Sequence, residues 1–176
     1  MVLFFPYAEL LILNTHYAQH IQNQKFMKNI VNAQDLSGIL ERVDKLTSES
    51  KAEWGQMTVN QAIAHMTDQF RMMYGEIEIK DRSSFVSRTV TKWMVLKAEN
   101  ITKNLPTVFE MDQNKGGTPP TNFDEDKSTL KNYLLKFPMK NNHDLELHPF
   151  LGKMTIDQFG RLAWQHLDHH LKQFGC

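Results

Sequence analysis

The sequence predicts an all-α fold, and three observations support this class. Apolar residues recur at spacings of three and four over several segments, which is the period of a helix with one buried face. The alternation of apolar and polar residues that is typical of a half-buried strand is scarce. Paired glycines and paired prolines occur together only at residues 116–120, so few turn signals divide the chain into short strands.

The first two predicted helices are defined by apolar faces and, in the second, by a start signal. Thr58 and Gln61 form a capping-box pattern, in which the threonine hydroxyl accepts from a backbone amide and the glutamine reaches back. The helix over residues 33–46 has its apolar face at Leu36, Ile39, Leu40 and Val43. The helix over residues 58–74 has its apolar face at Val59, Ile63, Met66, Phe70 and Met73.

Three more helices are predicted after residue 80. The segment near residues 85–99 is a helix candidate, and residues 103–122 form a polar connection that contains glycine and proline. A helix over residues 124–137 ends before Pro138, because proline cannot continue a helix without the loss of a hydrogen bond. The last helix, residues 156–174, begins after a second capping-box pattern.

The composition excludes several classes of function. The chain has 176 residues, which suits one domain with a single core. Its 20 basic residues balance 20 acidic ones, so we expect neither a nucleic acid nor a membrane surface as a partner. The one cysteine, Cys176, excludes a disulfide framework within the chain, and the cytoplasm is therefore the predicted location.

Residues 1–28 differ from the rest and are predicted to be an N-terminal extension of a domain that covers residues 29–176. The extension holds two short apolar runs, interrupted by Pro6 and Glu9, and neither reaches the roughly 20 apolar residues that span a bilayer. It also lacks the basic start and the small-residue cleavage site of an export signal. We expect a translation start that is assigned too early, with a divergent export signal as the alternative.

Three histidines form the candidate site. His166 and His170 lie one helical turn apart in the last predicted helix, on a face that is otherwise apolar. Two imidazoles directed at a core need a polar partner, because a buried polar group without one is costly. A metal ion would use both rings, whereas hydrogen-bonded core histidines are the alternative. His65, on the flank of the apolar face of the second helix, is a weaker candidate when it is considered alone.

Other polar and aromatic residues have simpler interpretations. His169 projects away from the His166 face and suits the rim of a pocket. Asp68 and Asp168 are candidate acceptors for imidazole N–H groups, although a solvated carboxylate is the favoured interpretation of Asp168. His148 is interpreted as a turn histidine. Three residues are interpreted as packing residues: Trp54, Trp93 and Trp164.

Four segments taken together resemble the DinB-like superfamily. They are Trp-Gly-Gln-Met-Thr at residues 54–58, Gln-Ala-Ile-Ala-His at 61–65, His-Pro-Phe-Leu-Gly at 148–152, and the histidine-rich run at 166–175. The superfamily also contains the YfiT-like metalloenzymes and the bacillithiol and mycothiol transferases. The chain resembles an uncharacterised branch of it, a domain of unknown function, over residues 33–175.

The resemblance implies a four-helix bundle in an up-down-down-up arrangement, with the candidate helix near residues 85–99 as an extra helix in the long crossover. It also implies a divalent metal ion held by three histidines, one from the second helix and two from the last. These correspond to His65, His166 and His170. Zinc or nickel is the expected ion, although imidazole ligands also suit copper and iron. No catalytic acid or base is carried over.

Three imidazoles leave at least one coordination position open, as in catalytic zinc sites. We therefore predict a metal-dependent enzyme that acts on a small electrophilic substrate. It would transfer a low-molecular-weight thiol or hydrolyse the substrate with a metal-activated water. The alternative is a non-catalytic metal-binding bundle with a stress-response or oligomerisation role. A homodimer is compatible with both interpretations.

Overall fold

The computed structural model describes residues 27–176. Within this range the secondary structure is helical and contains no strand, apart from an isolated bridge between His148 and Gly152. The all-α prediction is confirmed over this part of the chain. The α-helices, labelled α1 to α5, are Ala33–Lys45, Val59–Met73, Lys92–Lys97, Phe123–Lys136 and Ile156–Gln173.

The predicted N-terminal extension, residues 1–28, lies almost wholly outside the described range, so its boundary stays a prediction. Between residues 27 and 176, no helix combines the length and the apolar character needed to cross a membrane. The long helices of this range instead place apolar faces against one another, which is the usual arrangement of amphipathic helices.

Each long helix begins at a side-chain cap. Thr58 and Thr155 form the two predicted capping boxes, because their hydroxyls accept from the backbone N–H of Gln61 and Gln158, both at 3.2 Å. The glutamine side chains in turn accept from the threonine N–H groups, at 2.9 and 3.0 Å. α1 and α4 begin after asparagines whose side chains accept from two backbone amides each. These caps satisfy amides that helix geometry leaves without partners, which explains why the predicted starts are confirmed.

The long helices α1, α2, α4 and α5 pack around one apolar core. α1 and α2 each contact both α4 and α5. α2 lies at the centre of this packing, since residues 62–70 are all buried. A helix enclosed on every side must place polar side chains in the interior as well as apolar ones. The predicted apolar face of α2 is confirmed as part of the core, which also holds Phe137, Phe159 and Leu167.

The crossover between α2 and α4 contains the predicted third helix, but its form differs from the prediction. Instead of one helix near residues 85–99, a π-helical segment, Ser87–Thr91, precedes the short α3. The hydroxyl of Thr89 donates to the carbonyl of Phe85 at 2.8 Å, a local bond of the kind that bends regular helices. Trp93 is 64% exposed, so its interpretation as a packing residue was wrong.

Candidate metal centre

Three imidazole rings converge where α2 meets α5. His65 projects from α2, and His166 and His170 project from adjacent turns of α5. The ring centroids lie 4.8 Å apart for His65 and His166, 4.9 Å for His65 and His170, and 4.7 Å for His166 and His170. One nitrogen from each ring lies within 4.8 Å of the others. The structure thus brings the predicted residues together, and this cluster could hold a metal ion.

Each ring presents its Nδ1 atom to an oxygen acceptor. The distances are 2.9 Å from His65 to the Met111 carbonyl, 3.0 Å from His166 to Gln69 Oε1, and 2.9 Å from His170 to Gln173 Oε1. A carbonyl or amide oxygen can only accept, so each neutral ring carries its proton on Nδ1. The Nε2 atom of each ring then has a free lone pair, which is the form that binds a metal.

The shortest contact within the cluster joins two of these lone pairs. Nε2 of His65 lies 2.9 Å from Nε2 of His166. Two bare nitrogens repel each other at this distance, and a shared cation removes the conflict. Three nitrogens bound tetrahedrally to zinc, with bonds of about 2.0–2.1 Å, would lie about 3.3 Å apart. The His65–His166 spacing is close to this value and all three nitrogens lie within 4.8 Å of one another, so the cluster could hold one metal ion after small movements of the rings.

Burial keeps the three rings neutral. It lowers the pKa of His65, and the hydrogen bond to Met111 only partly opposes this effect. Burial and the neighbouring histidines hold the pKa of His166 well below its ordinary value. The same combination lowers the pKa of His170 to about 3. Because neutral imidazole is the metal-binding form, a metal ion would not have to compete with protons near pH 7.

Gln173 is held so that its oxygen faces His170. Its Nε2 donates to the carbonyl of Trp54 at 2.8 Å, and Oε1 is left to accept from the ring. Gly55 permits this approach, because a Cβ at that position would lie 2.5 Å from Nε2 of Gln173. The φ angle of Gly55, +81°, also lies in the region that favours glycine. Trp54 and Gly55, in the linker between α1 and α2, thus help to orient the ring of His170 through Gln173.

Asp68 supports the site indirectly. Its buried carboxylate accepts from Nε2 of Gln113 at 2.8 Å and from the backbone N–H of Thr118 at 2.9 Å. These bonds hold the part of the crossover that carries the Met111 carbonyl. Asp68 was a candidate acceptor for an imidazole N–H, but the structure gives His65 the carbonyl of Met111 as its acceptor instead.

Asp168, the other predicted acceptor, is engaged elsewhere. It forms ion pairs with Arg42 at 2.7 Å and with Lys172 at 2.8 Å. Its exposure is only 5%, so the favoured interpretation as a solvated carboxylate was also wrong. The pair with Arg42 ties α1 to α5 on the side away from the cluster's hydrogen-bond partners.

A cavity of about 700 Å³ opens beside the three rings. One wall consists of crossover residues between 101 and 115, and another of residues 148–150. Apolar side chains such as Met57, Leu105 and Phe150 contribute to the lining together with the histidines. This volume lies in the range of small-molecule pockets. The cluster is therefore accessible from a cavity and is not sealed within the core.

Comparison with known protein families identifies the family of this chain. Residues 25–175 match a family model described as a protein of unknown function, DUF1569. The chain belongs to the DUF1569 family. This match spans all three histidines of the cluster and confirms the predicted membership of a domain family of unknown function. No curated protein and no solved structure matches the chain.

Two further histidines of this DUF1569 protein line the cavity. His169 contacts the ring of Trp54, with centroids 4.6 Å apart, in agreement with the predicted place at the rim. His148 has the predicted turn role, since its Nδ1 accepts from the N–H groups of Phe150 and Leu151 at 3.2 and 3.1 Å. Its place in the cavity lining was not predicted, and neither was that of Trp54.

The acceptors that orient the rings were not predicted from the sequence. Gln69 follows His65 by one helical turn, and Gln173 follows His170 by about one turn. This spacing on a histidine-bearing face was a usable signal, although Gln69 accepts from the ring of the opposite helix, His166. The third acceptor is a backbone carbonyl at the end of the short 3-10 helix Phe109–Met111 in the crossover, and no side-chain pattern could have revealed it.

Proposed function

We propose that this protein is a divalent-metal-dependent enzyme that acts on a small electrophilic substrate. His65, His166 and His170 are the proposed ligands, and zinc or nickel is the proposed ion, since imidazole nitrogens suit both. The observation that carries the proposal is the convergence of three imidazole rings, each with Nδ1 at an oxygen acceptor, beside an open cavity. Structural zinc sites usually have four protein ligands, whereas catalytic sites have three and an open position.

The proposed reaction is transfer of a low-molecular-weight thiol or hydrolysis. A divalent ion at this site would supply Lewis acidity, which lowers the pKa of a water or thiol in its open position. The chain's own part is positioning: Gln69 and Gln173 hold two rings in one tautomer, and the cavity walls would contact the substrate on several sides.

The side-chain charges of the cavity, considered apart from the charge of a bound ion, favour an uncharged substrate body. Among the lining residues within 27–176, the aspartate or lysine side chains are Asp112 and Lys115, and they pair with each other at 2.9 Å. This lining also contains no arginine, the residue best suited to bind phosphate or carboxylate groups. A neutral molecule with an apolar body therefore matches the walls better than a polyanion does.

We also propose that the domain, residues 29–176, is a DinB-like four-helix bundle in the up-down-down-up arrangement, with α3 as an extra helix in the crossover. The packing of four long helices around one core supports this proposal. So does the origin of the three histidines on α2 and α5. An experimental structure with a different set of helix directions would contradict it.

Metal analysis of the purified protein tests the site. We expect the wild type to bind about one metal ion per chain. His166→Ala and His170→Ala should lose the ion, because two ligands cannot replace three. His143→Ala is the matched control, since His143 is exposed and lies outside the cavity lining. Unchanged metal content in both ligand variants would reject the site.

A non-catalytic metal-binding bundle with a stress-response or oligomerisation role is the second candidate. The apolar side chains that the crossover exposes favour it, because contiguous apolar patches often mark contact surfaces. Those between residues 85 and 94 are Phe85, Val86, Val90, Trp93 and Met94.

Two activity screens separate the enzyme from the non-catalytic module. One tests common thiols with 1-chloro-2,4-dinitrobenzene, and the other tests the hydrolysis of p-nitrophenyl acetate. Metal-dependent turnover supports the enzyme, whereas a metal-dependent rise in Tm without turnover supports the module. Sedimentation tests the expected homodimer.

A further inference from the structure

His148 has one polar atom that no residue between 27 and 176 uses as a hydrogen-bond partner. Its backbone N–H donates to the carbonyl of Gly152 at 3.0 Å and its carbonyl accepts from the N–H of Gly152 at 2.8 Å, which closes a tight turn. Inside the turn, Nδ1 accepts from the N–H groups of Phe150 and Leu151 at 3.2 and 3.1 Å. A nitrogen that accepts from backbone amides carries no proton. The neutral ring therefore has its proton on Nε2.

The turn fixes the orientation of this ring. Rotation of the ring by half a turn would remove the nitrogen acceptor from two backbone amides, so both of these hydrogen bonds of the turn would be lost. The ring also packs near Phe159, with centroids 6.2 Å apart. Burial, together with the positive charge of Lys92, lowers the pKa of His148 to about 4. The ring thus stays neutral, in one tautomer, at physiological pH.

The remaining Nε2–H group is available to the cavity. His148 belongs to the same lining as the three clustered histidines. Both backbone groups and Nδ1 of His148 are used within the turn, and none of the residues from 27 to 176 accepts from its Nε2–H. A protonated lysine would offer a donor too, but it would add a positive charge to a cavity whose other charges are paired.

We propose that His148 is a substrate-binding residue that donates its Nε2–H to a carbonyl oxygen of an uncharged substrate. This inference rests on the proposed function and narrows its substrate class to esters, amides or related carbonyl compounds with an apolar body. A fixed neutral imidazole N–H can stabilise a carbonyl oxygen as negative charge develops on it. An ion held by the three histidines would supply Lewis acidity in the same cavity, and the part of His148 is to bind and orient the carbonyl oxygen.

The bond changes of ester hydrolysis show where this donor acts. A water oxygen bonds to the carbonyl carbon, and the C=O electron pair moves onto the carbonyl oxygen, which accepts from His148. When that pair returns, the bond to the leaving oxygen breaks and the leaving group takes the bonding electrons. Of the two water protons, one stays with the acid or passes to solvent and the other neutralises the leaving group.

Two variants separate the turn from the donor. His148→Asn places an amide oxygen near the position of Nδ1, so it keeps the acceptor that closes the turn but has no group at the position of Nε2. His148→Gln reaches the position of Nε2 with an amide N–H, but it gives up the turn acceptor. His143→Asn is the matched control, because His143 is exposed and outside the cavity lining.

The first test is hydrolysis of p-nitrophenyl acetate by the zinc-loaded protein. We expect the kcat of His148→Asn to fall by about tenfold or more, as when one donor to a developing oxyanion is removed. His148→Gln should recover part of this loss, and His143→Asn should match the wild type. Zinc content should be the same in all four proteins, because His148 is not a proposed ligand. Equal kcat values for wild type and His148→Asn would overturn the inference.

The second test does not need turnover. In protein labelled with ¹⁵N-histidine, NMR should place the proton of His148 on Nε2 at pH 7, and a proton on Nδ1 would overturn the inference. Benzamide, a neutral carbonyl compound, should shift the His148 resonances, and His148→Asn should bind it at least about threefold more weakly. If the wild type binds no zinc or shows no turnover, the proposed function is contradicted. The benzamide affinities of the wild type and of His148→Asn still test the role of His148 in that case. Equal affinity, or no benzamide binding, would overturn that role.

Discussion

The substitution Gln173→Met tests whether the orientation of His170 matters for metal binding. Methionine has a similar length and shape but no polar end. It would leave two groups without partners, the carbonyl of Trp54 and the Nδ1–H of His170, which Gln173 now contacts at 2.8 and 2.9 Å. Each buried polar group without a partner costs about 1–3 kcal/mol, so we expect the free energy of unfolding of the metal-free protein to fall by about 2–6 kcal/mol.

The same substitution should weaken metal binding about 10- to 100-fold, which is the usual effect of losing an outer hydrogen-bond acceptor of a ligating histidine. Competition for Zn²⁺ with a chromophoric chelator measures this affinity, and urea unfolding with and without zinc measures the stability. Gln34→Met, at an exposed position of α1, is the matched control. A wild-type affinity for zinc, combined with lowered stability, would refute the assignment of His170 as an oriented ligand.

Three further predictions concern His148, Asp68 and Gly152. The pKa of His148 is about 4 against an ordinary 6.5, so between these values the unfolded chain binds a proton that the folded chain does not. Stability should therefore decline as the pH falls from about 6.5 to 4, and His148→Asn should reduce that slope in urea unfolding by up to about 1.4 kcal/mol per pH unit; parallel curves would contradict this. Asp68→Asn should cost about 2–4 kcal/mol and weaken zinc binding, because it loosens the loop that carries Met111; wild-type values in both measurements would count against it. Gly152→Ala would place a Cβ 2.9 Å from Cγ of Arg88 at a φ of +66°. We expect the free energy of unfolding to fall by about 1–3 kcal/mol, measured by thermal unfolding, and an unchanged value would contradict this.

Local signals explain which parts of the fold could be predicted from the sequence. The starts of α2 and α5 follow from capping boxes that involve residues only three apart, such as Thr58 and Gln61. The apolar faces of the long helices follow from a period that is also local. The π-helical segment, Ser87–Thr91, could not be predicted in this way, because a helical period does not reveal how serine and threonine hydroxyls compete for backbone groups.

In the candidate site, too, local features could be predicted from the sequence and features that depend on tertiary packing could not. The pair His166 and His170 is visible in the sequence because both residues share one helix and one face. The place of His65 beside them depends on how α2 packs against α5, a tertiary arrangement for which only the family resemblance offered a guide. The hydrogen bonds that set the tautomers join residues 46, 97 and 3 positions apart, and two of these three separations lie beyond any local pattern.

Asp68 shows why a plausible residue type is not enough to assign a role. A carboxylate one turn from a candidate ligand is the usual partner of a metal-binding histidine, and this favoured Asp68 as an acceptor. In the structure Oδ2 of Asp68 instead accepts from a side chain and a backbone N–H of the crossover, and Oδ1 pairs with Arg71 of α2 at 3.3 Å. The carboxylate thus anchors the crossover to α2, and nothing in the sequence around Asp68 distinguishes this use from an imidazole contact.

Every ring N–H of the cluster ends on an uncharged oxygen, from an amide or a peptide group. Histidine ligands that donate to carboxylates return part of a negative charge to their ion, and that compensation is missing in these three contacts. A divalent ion here would keep nearly its whole charge and would attract anions to its vacant side. Chloride, acetate and citrate from purification buffers would then act as inhibitors, and weak turnover would be visible only after their removal.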